Sequence, residues 1–418
     1  MDYSETISVD LRQMVLAIEN AVSLVGMNDT NHGKRVGYIA LQMAKALNFS
    51  DENLFFIYEL GLLHDCGVSS DTVHSYLANL FDWEQSGLHC RIGHDLLAYF
   101  EPLKKMAIPI LYHHTPWEEL QHAETTIFDK RVANLIFIAD RIDITAAPYY
   151  EKNILLHIET IKKSIAEKSN TYFNPEFVKT FLDISQAEAF WLSLEDRHIE
   201  KFAWEMGSLE STKIISLADL KQLAKIFSYI IDQKSSFTVQ HSYGVANLSR
   251  HIAIKYGLPD IVVDKIEIAA YLHDIGKLHI PDNILEKKGP LSPTERAIIN
   301  QHSYETFEIL RPVTGLEEIA LWAAYHHEND IGTGYPFHPE KGKIPLPARI
   351  IAVADVFQAL LQDRPYRKGM SLEQSLSILT KMKNESRLDS TIVSLVEDDA
   401  LKCRELAKKQ LSIQELLK

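Results

Sequence analysis

Ten of the eighteen histidines in this chain fall into a doubled pattern. Thirty-two residues separate His32 from His64-Asp65, and thirty-two separate His241 from His273-Asp274. His89 precedes His113-His114 by 24 residues, as His302 precedes His326-His327. Each series ends on an Ala-Asp pair, Ala139-Asp140 and Ala354-Asp355. Fixed intervals of this kind mark an internal duplication. Each copy offers five imidazoles and two carboxylates: His32, His64, Asp65, His89, His113, His114 and Asp140 in the first, and His241, His273, Asp274, His302, His326, His327 and Asp355 in the second. Mixed nitrogen and oxygen donors suit Mn, Fe, Ni or Zn, whereas Mg and Ca prefer oxygen alone. Seven donors exceed one tetrahedral shell and match two ions that share a carboxylate. Neighbours on a helix point about 100° apart, so His273-Asp274 and His326-His327 can each serve both ions. Two ions roughly 3.5–4 Å apart are a known device for in-line attack at phosphorus by a bridging hydroxide.

The second copy carries further groups suited to phosphoryl chemistry. Lys277 follows in His273-Asp274-Ile275-Gly276-Lys277, placed to reach a scissile phosphate or to protonate its leaving oxygen. Gly332-Thr333-Gly334-Tyr335-Pro336 is a loop whose glycines permit close approach to a ligand, with the Tyr335 ring available to stack on a base. Asp363-Arg364-Pro365-Tyr366-Arg367 supplies two guanidinium forks matched to phosphate oxygens.

On these motifs, with Ile280-Pro281-Asp282, Ile344-Pro345-Leu346 and Val353-Ala354-Asp355, residues 217–380 resemble an HD-GYP domain, a family of bacterial metal-dependent cyclic dinucleotide phosphodiesterases. The resemblance implies an all-helical fold and a metal site at the seven second-copy residues. It makes Asp274 and Lys277 catalytic and puts Arg364, Arg367, Tyr335 and Gly334 at the substrate. It implies cyclic di-GMP or 3'3'-cyclic GMP-AMP as substrate, opened to a linear dinucleotide. Three positions depart from the family pattern. Ile331 stands where Asp usually precedes the first glycine of the loop, which bears on base selectivity rather than catalysis. Phe237 occupies the place of a third-metal glutamate, so two ions are expected, with Mn or Fe ahead of Ni or Zn. Gln358 replaces a common aspartate.

Residues 9–152 resemble an HD domain without the second signature. All seven donors remain, but Val68 takes the place of Lys277, and His113-His114 runs into Thr115-Pro116-Trp117. This copy is expected to be a regulatory or dimerising domain, supporting a homodimer, ahead of an independent phosphohydrolase or a packing relic. A degenerate HD domain joined to a complete HD-GYP domain is similar to bacterial 3'3'-cyclic GMP-AMP phosphodiesterases, which tilts the expected substrate that way. The competing functions are a cyclic di-GMP-specific phosphodiesterase, a 5'-nucleotidase-like phosphohydrolase and a non-catalytic cyclic dinucleotide receptor.

The elements that must hold these groups read as helices. Apolar residues recur at helical spacing over Arg35–Leu47, Glu52–Leu63, Leu155–Glu167, Val245–Tyr256, Val262–His273, Thr294–Leu310, Glu317–His327 and Leu346–Leu361. No convincing period-two run predicts a strand. Periodicity lapses near Met206-Gly207-Ser208, giving two all-α, tandem HD-type domains, 1–205 and 206–418. With 46% hydrophobic and 24% charged residues the chain is of globular rather than disordered composition. A net charge of −14 argues against DNA binding, which needs a clustered basic surface. Three cysteines make no disulfide framework. The acidic start is not a signal peptide, and no apolar run approaches the ~18 residues of a membrane span, so a cytoplasmic protein without membrane attachment is expected.

Overall fold

The computed structural model describes residues 8–25, 31–68, 87–209, 213–234, 241–363 and 368–409. Arg364, Arg367 and Phe237 lie outside these residues. The chain divides into two compact units, one covering 14–212 and the other 213–409 together with 8–13. The division after Thr212 lies just beyond the turn-rich stretch at 206–208. Residues 8–13 join the later unit through a short ladder in which Val9 pairs antiparallel with Ile215 and Asp10 with Ile214. Two residues per strand are too few for alternation to show in sequence.

In the C-terminal unit the helix His241–Tyr256 packs on Asp260–Leu272 and on Leu346–Leu361. Leu217–Gln233 and Glu317–Ala324 both lie against Asp260–Leu272. Their buried stripes bring Leu223, Phe227, Leu248, Ile266, Val353 and Phe357 into one core. Full burial of such a side chain contributes roughly 1.5–3 kcal/mol. Starts are set by local chemistry. Ser216 with Asp219, Ser292 with Glu295 and Ser371 with Gln374 each form a reciprocal capping box. Loss of one such cap costs typically about 1 kcal/mol.

The N-terminal unit repeats the arrangement. His32–Ala46 packs on Asp51–Leu63 and Ile127–Ala146, and Gly87–Ala98 packs on Ala107–Tyr112. Phe173, Phe177, Phe181 and Trp191, all fully buried, extend its core. In both units, then, a helix opening on the first histidine lies beside one that ends on the His-Asp pair.

Two differences from the sequence pattern bear on the site. The expected helix Thr294–Leu310 is two helices, Pro293–Asn300 and His302–Leu310, separated at Gln301. Glu317–His327 ends as a helix at Ala324 and tightens into a 3-10 turn over Tyr325–His327. At both places the Nδ1–H of a histidine donates three residues back, His302 to the Ile299 carbonyl and His326 to that of Ala323, each at 2.6 Å. Hydrophobic periodicity cannot register a change of one residue in winding.

The turn after His273-Asp274 requires glycine. A Cβ on Gly276 would stand 2.0 Å from the carbonyl oxygen of His302 and 2.8 Å from the Thr306 nitrogen. Both are backbone atoms that cannot rotate away. Gly276→Ala is therefore expected to destabilise the unit by about 2–4 kcal/mol and to shift His302. Thermal unfolding together with metal content checks this: a wild-type Tm would refute it.

Candidate metal centre

All seven second-copy donors converge at the junction of these elements. His241 and His302 open their helices, His273 and Asp274 follow the end of Asp260–Leu272, His326 and His327 sit on the 3-10 turn, and Asp355 lies within Leu346–Leu361. Asp274 is buried at their centre. Its Oδ2 lies 3.5 Å from His241 Nε2 and 3.3 Å from His273 Nε2. Its Oδ1 lies 3.5 Å from His302 Nε2 and 3.9 Å from His326 Nε2. Asp355 Oδ1 completes the first side at 3.2 Å from His241 Nε2. Two donor groups result, His241-His273-Asp355 and His302-His326-His327, with one carboxylate facing both.

Second contacts set the tautomers. Nδ1–H of His273 donates to the Ala270 carbonyl at 2.7 Å, and those of His302 and His326 are engaged as described, which turns each Nε2 lone pair inward. His273 Nε2 and Asp274 Oδ1 are buried without a hydrogen-bond partner among the described residues. Buried polar atoms left unpaired are costly, so this donor set fits divalent ions in its interior. Burial also pushes the His302 imidazole down to about 3 and His327 to about 4, leaving both neutral and able to ligate. Burial alone would raise Asp274, but His273 and Lys277 hold its carboxyl well below the usual range.

Gln358 now has a role that sequence left open. Its Oε1 accepts from His241 Nδ1 at 2.6 Å, replacing a carboxylate by a neutral acceptor. Asp143 holds the same position in the N-terminal unit, accepting from His32 Nδ1 at 2.7 Å. Gln358→Leu is expected to weaken metal binding on the His241 side about 10–100-fold. A chelator-competition titration reads this directly, and an unchanged affinity would remove Gln358 from the site.

A cavity of about 620 Å³ opens on the donors, lined by His241, His302, His327, Asp355, Lys277 and Tyr335 among others. Lys277 pairs with Asp274 while lining that space. Three further cations line it that sequence reading did not single out. Lys234 pairs with Asp282 at 2.8 Å and Lys287 with Glu295 at 2.6 Å, whereas Arg296 has no carboxylate partner among the described residues. No motif marks them, because only folding brings 234, 287 and 296 to one wall. The Tyr335 ring, expected to meet a base, lies 4.8 Å from the His327 ring at 36° and so also buttresses a donor. Gly334 is needed where the loop folds back: a Cβ there would come within 2.5 Å of the His327 carbonyl oxygen. Glu328 Oε1 pins the loop by accepting from the nitrogens of Phe337 at 2.6 Å and His338 at 3.0 Å.

The N-terminal unit builds a matching centre. Asp65 Oδ2 lies 3.4 Å from His64 Nε2 and 3.9 Å from His32 Nε2, while Oδ1 lies 3.3 Å from His89 Nε2 and 3.8 Å from that of His113. The donor groups are His32-His64-Asp140 and Asp65-His89-His113-His114. His64 Nε2 and Asp65 Oδ1 are again buried and unpaired among the described residues. Two features differ from the second centre. Val68, fully buried, stands where Lys277 stands, and Arg141 grips Asp140 Oδ2 through Nε at 3.0 Å and Nη2 at 2.7 Å.

Comparison with known proteins agrees with this duplicated geometry. Residues 30–145 and 225–392 each match a family described as the HD domain. The chain is 37% identical over 394 residues to the 3'3'-cGAMP-specific phosphodiesterase 1 of Vibrio cholerae, covering 93% of this chain and 91% of that protein. The chain belongs to the HD-domain phosphodiesterases. Other members of this family include a cyclic di-GMP phosphodiesterase of Thermotoga maritima, 39% identical over 37% of this chain and 43% of its own length. The crystal structure of the Vibrio cholerae cyclic GMP-AMP-specific phosphodiesterase V-cGAP3 matches with a TM-score of 0.63 at 21% identity, over 98% of this chain and all of that one, which shows a shared fold. HD-domain phosphodiesterases are all-helical, metal-dependent hydrolases, in line with both the two-unit fold and the paired His/Asp clusters. Among the described residues no helix is long and apolar enough to cross a membrane.

Proposed function

We propose that the C-terminal unit is a two-metal phosphodiesterase that opens a cyclic dinucleotide to a linear 5'-phosphorylated product, with 3'3'-cyclic GMP-AMP preferred to cyclic di-GMP. The observation that carries this reading is Asp274, whose two oxygens face two separate histidine groups, beneath a cavity lined by His241, His302, His327, Asp355 and by Lys277, the partner of Asp274. His241, His273 and Asp355 would hold one ion and His302, His326 and His327 the other, with Asp274 shared; Mn or Fe suits these donors best. Such ions supply hydroxide at neutral pH and charge neutralisation at phosphorus. The chain's own groups do the rest. Lys277 stays beside the scissile phosphate, held there by Asp274, and donates to the developing charge or to the leaving oxygen. Arg296 and the expected Arg364 and Arg367 bind the anionic ring, and the Tyr335 ring keeps His327 in place. The preference for the mixed nucleotide is supported by similarity along nearly the whole chain to an enzyme named for it.

The N-terminal unit, with Val68 for the lysine and Arg141 neutralising Asp140, is proposed as a regulatory or dimerising domain that retains metal-binding capacity. The proposed domains are 1–205 regulatory and 206–418 catalytic, although residues 8–13 pack in the later unit and the compact units divide after Thr212.

The test is product chromatography after Mn- or Fe-loaded protein meets cyclic di-GMP, cyclic di-AMP and 3'3'-cyclic GMP-AMP in parallel. A linear dinucleotide, formed fastest from the mixed substrate, is expected. Equal turnover of cyclic di-GMP would discard the preference but keep the reaction. No product from metal-replete protein would overturn the enzyme reading in favour of a receptor, and phosphate released from GMP or AMP would point to a nucleotidase.

A further inference from the structure

The two centres differ at one donor. Cys90, 1% exposed near the start of the helix Gly87–Ala98, places its Sγ 3.6 Å from His89 Nε2, the ring nitrogen that faces Asp65. In the C-terminal unit the corresponding residue is Ser303, whose Oγ lies 3.2 Å from His302 Nε2. A sulfur therefore stands where the second centre has a hydroxyl.

We infer that Cys90 is a thiolate ligand of the N-terminal centre, so that this unit takes a soft divalent ion such as zinc into an N/O/S shell formed with His89, His113 and Asp65. The inference rests on the reading that the N-terminal unit holds metal.

Spacing supports it. Around one tetrahedral ion with Zn–N of about 2.0–2.1 Å and Zn–S of about 2.3 Å, two nitrogens lie about 3.3–3.4 Å apart and a nitrogen and a sulfur about 3.6 Å apart. His89 Nε2 and His113 Nε2 are 3.2 Å apart, His89 Nε2 and Cys90 Sγ 3.6 Å, and His89 Nε2 and Asp65 Oδ1 3.3 Å. His114 stands within 4.8 Å of the nitrogen and oxygen donors and could add a fifth contact. On coordination the sulfur exchanges its proton for the metal bond, and that proton leaves to solvent. A thiolate shifts selectivity toward zinc and away from manganese, whereas the all-N/O second centre keeps its preference for harder ions. One chain would then sort two kinds of metal into two copies of one fold.

Cobalt(II) reports thiolate ligation without reference to activity. Metal-free protein loaded with cobalt is expected to show a sulfur-to-cobalt charge-transfer band in the near ultraviolet. Cys90→Ser, which installs the residue already tolerated at the equivalent position 303, should abolish that band while the cobalt bound per chain stays the same. Cys66→Ser and Cys403→Ser should keep it. Cobalt bound at the wild-type ratio with no such band, or a band that survives in Cys90→Ser, would overturn the inference. Asp65→Ala separates it from the reading beneath it: that variant is expected to bind less cobalt per chain, and an unchanged ratio together with no band in the wild type would overturn metal binding by the N-terminal unit itself.

Discussion

Asp274→Ala is expected to hydrolyse cyclic dinucleotides at least about a thousandfold more slowly than the wild type while remaining folded. The reason is geometric. Asp274 is the only carboxylate among the described residues that faces both donor groups, with Oδ2 toward His241 and His273 and Oδ1 toward His302 and His326. Its removal would take a ligand from each of the two proposed ions at once, and it also releases Lys277 from its partner. Metal content should fall together with turnover, and circular dichroism should show an intact helical signal. The equivalent change in the other copy gives the contrast. Asp65→Ala removes the corresponding bridge of the N-terminal centre and should leave turnover measurable, because catalysis is assigned to the unit that has Lys277. Wild-type rates in Asp274→Ala would refute the metal assignment, and complete inactivity of a folded Asp65→Ala protein would refute the placing of catalysis in one unit.

Lys277→Met should lower turnover by about 10²–10³-fold with metal content unchanged, the usual scale for loss of one preorganised charge at the reacting group. Methionine keeps the length and apolar stem of lysine, so the variant tests the ammonium alone. Lys277 is partly exposed, with 22% of its side chain accessible, and can turn between Asp274 and a bound phosphate. The N-terminal unit is a natural version of this experiment: seven donors are present, but Val68 fills the lysine position and is buried. A fall in kcat without loss of metal is the expected pattern. A variant that loses metal instead would make Lys277 a structural partner of Asp274 rather than a catalytic group.

The chemistry of this protein is legible in sequence to an unusual degree because it resides in residue types that are rarely placed by chance. Histidines recurring at intervals of 32 and 24 residues in two copies announced the duplication and the seven donors of each centre. Helical periodicity found most of the second-copy helices, Leu346–Leu361 to the residue, but not Gly87–Ala98 and Ile127–Ala146, which carry His89 and Asp140. Substitutions such as Val68 for lysine already set the two copies apart, because a valine has no charge to offer a phosphate.

Other features depended on the folded chain. The division of seven donors into two groups, and the role of Asp274 in facing both, rest on where two oxygens of one side chain point, which spacing cannot encode. The helix break at Gln301 and the tight turn at Tyr325–His327 aim His302 and His326 through bonds to backbone carbonyls three residues back. Gln358, distant in sequence from His241, became an outer partner only when two helices crossed. Arg296 and Lys234 joined the cavity wall for the same reason. Periodicity reports which face of an element is buried, whereas contact between side chains from different elements is set by packing, and packing is what decided the fine structure of both centres.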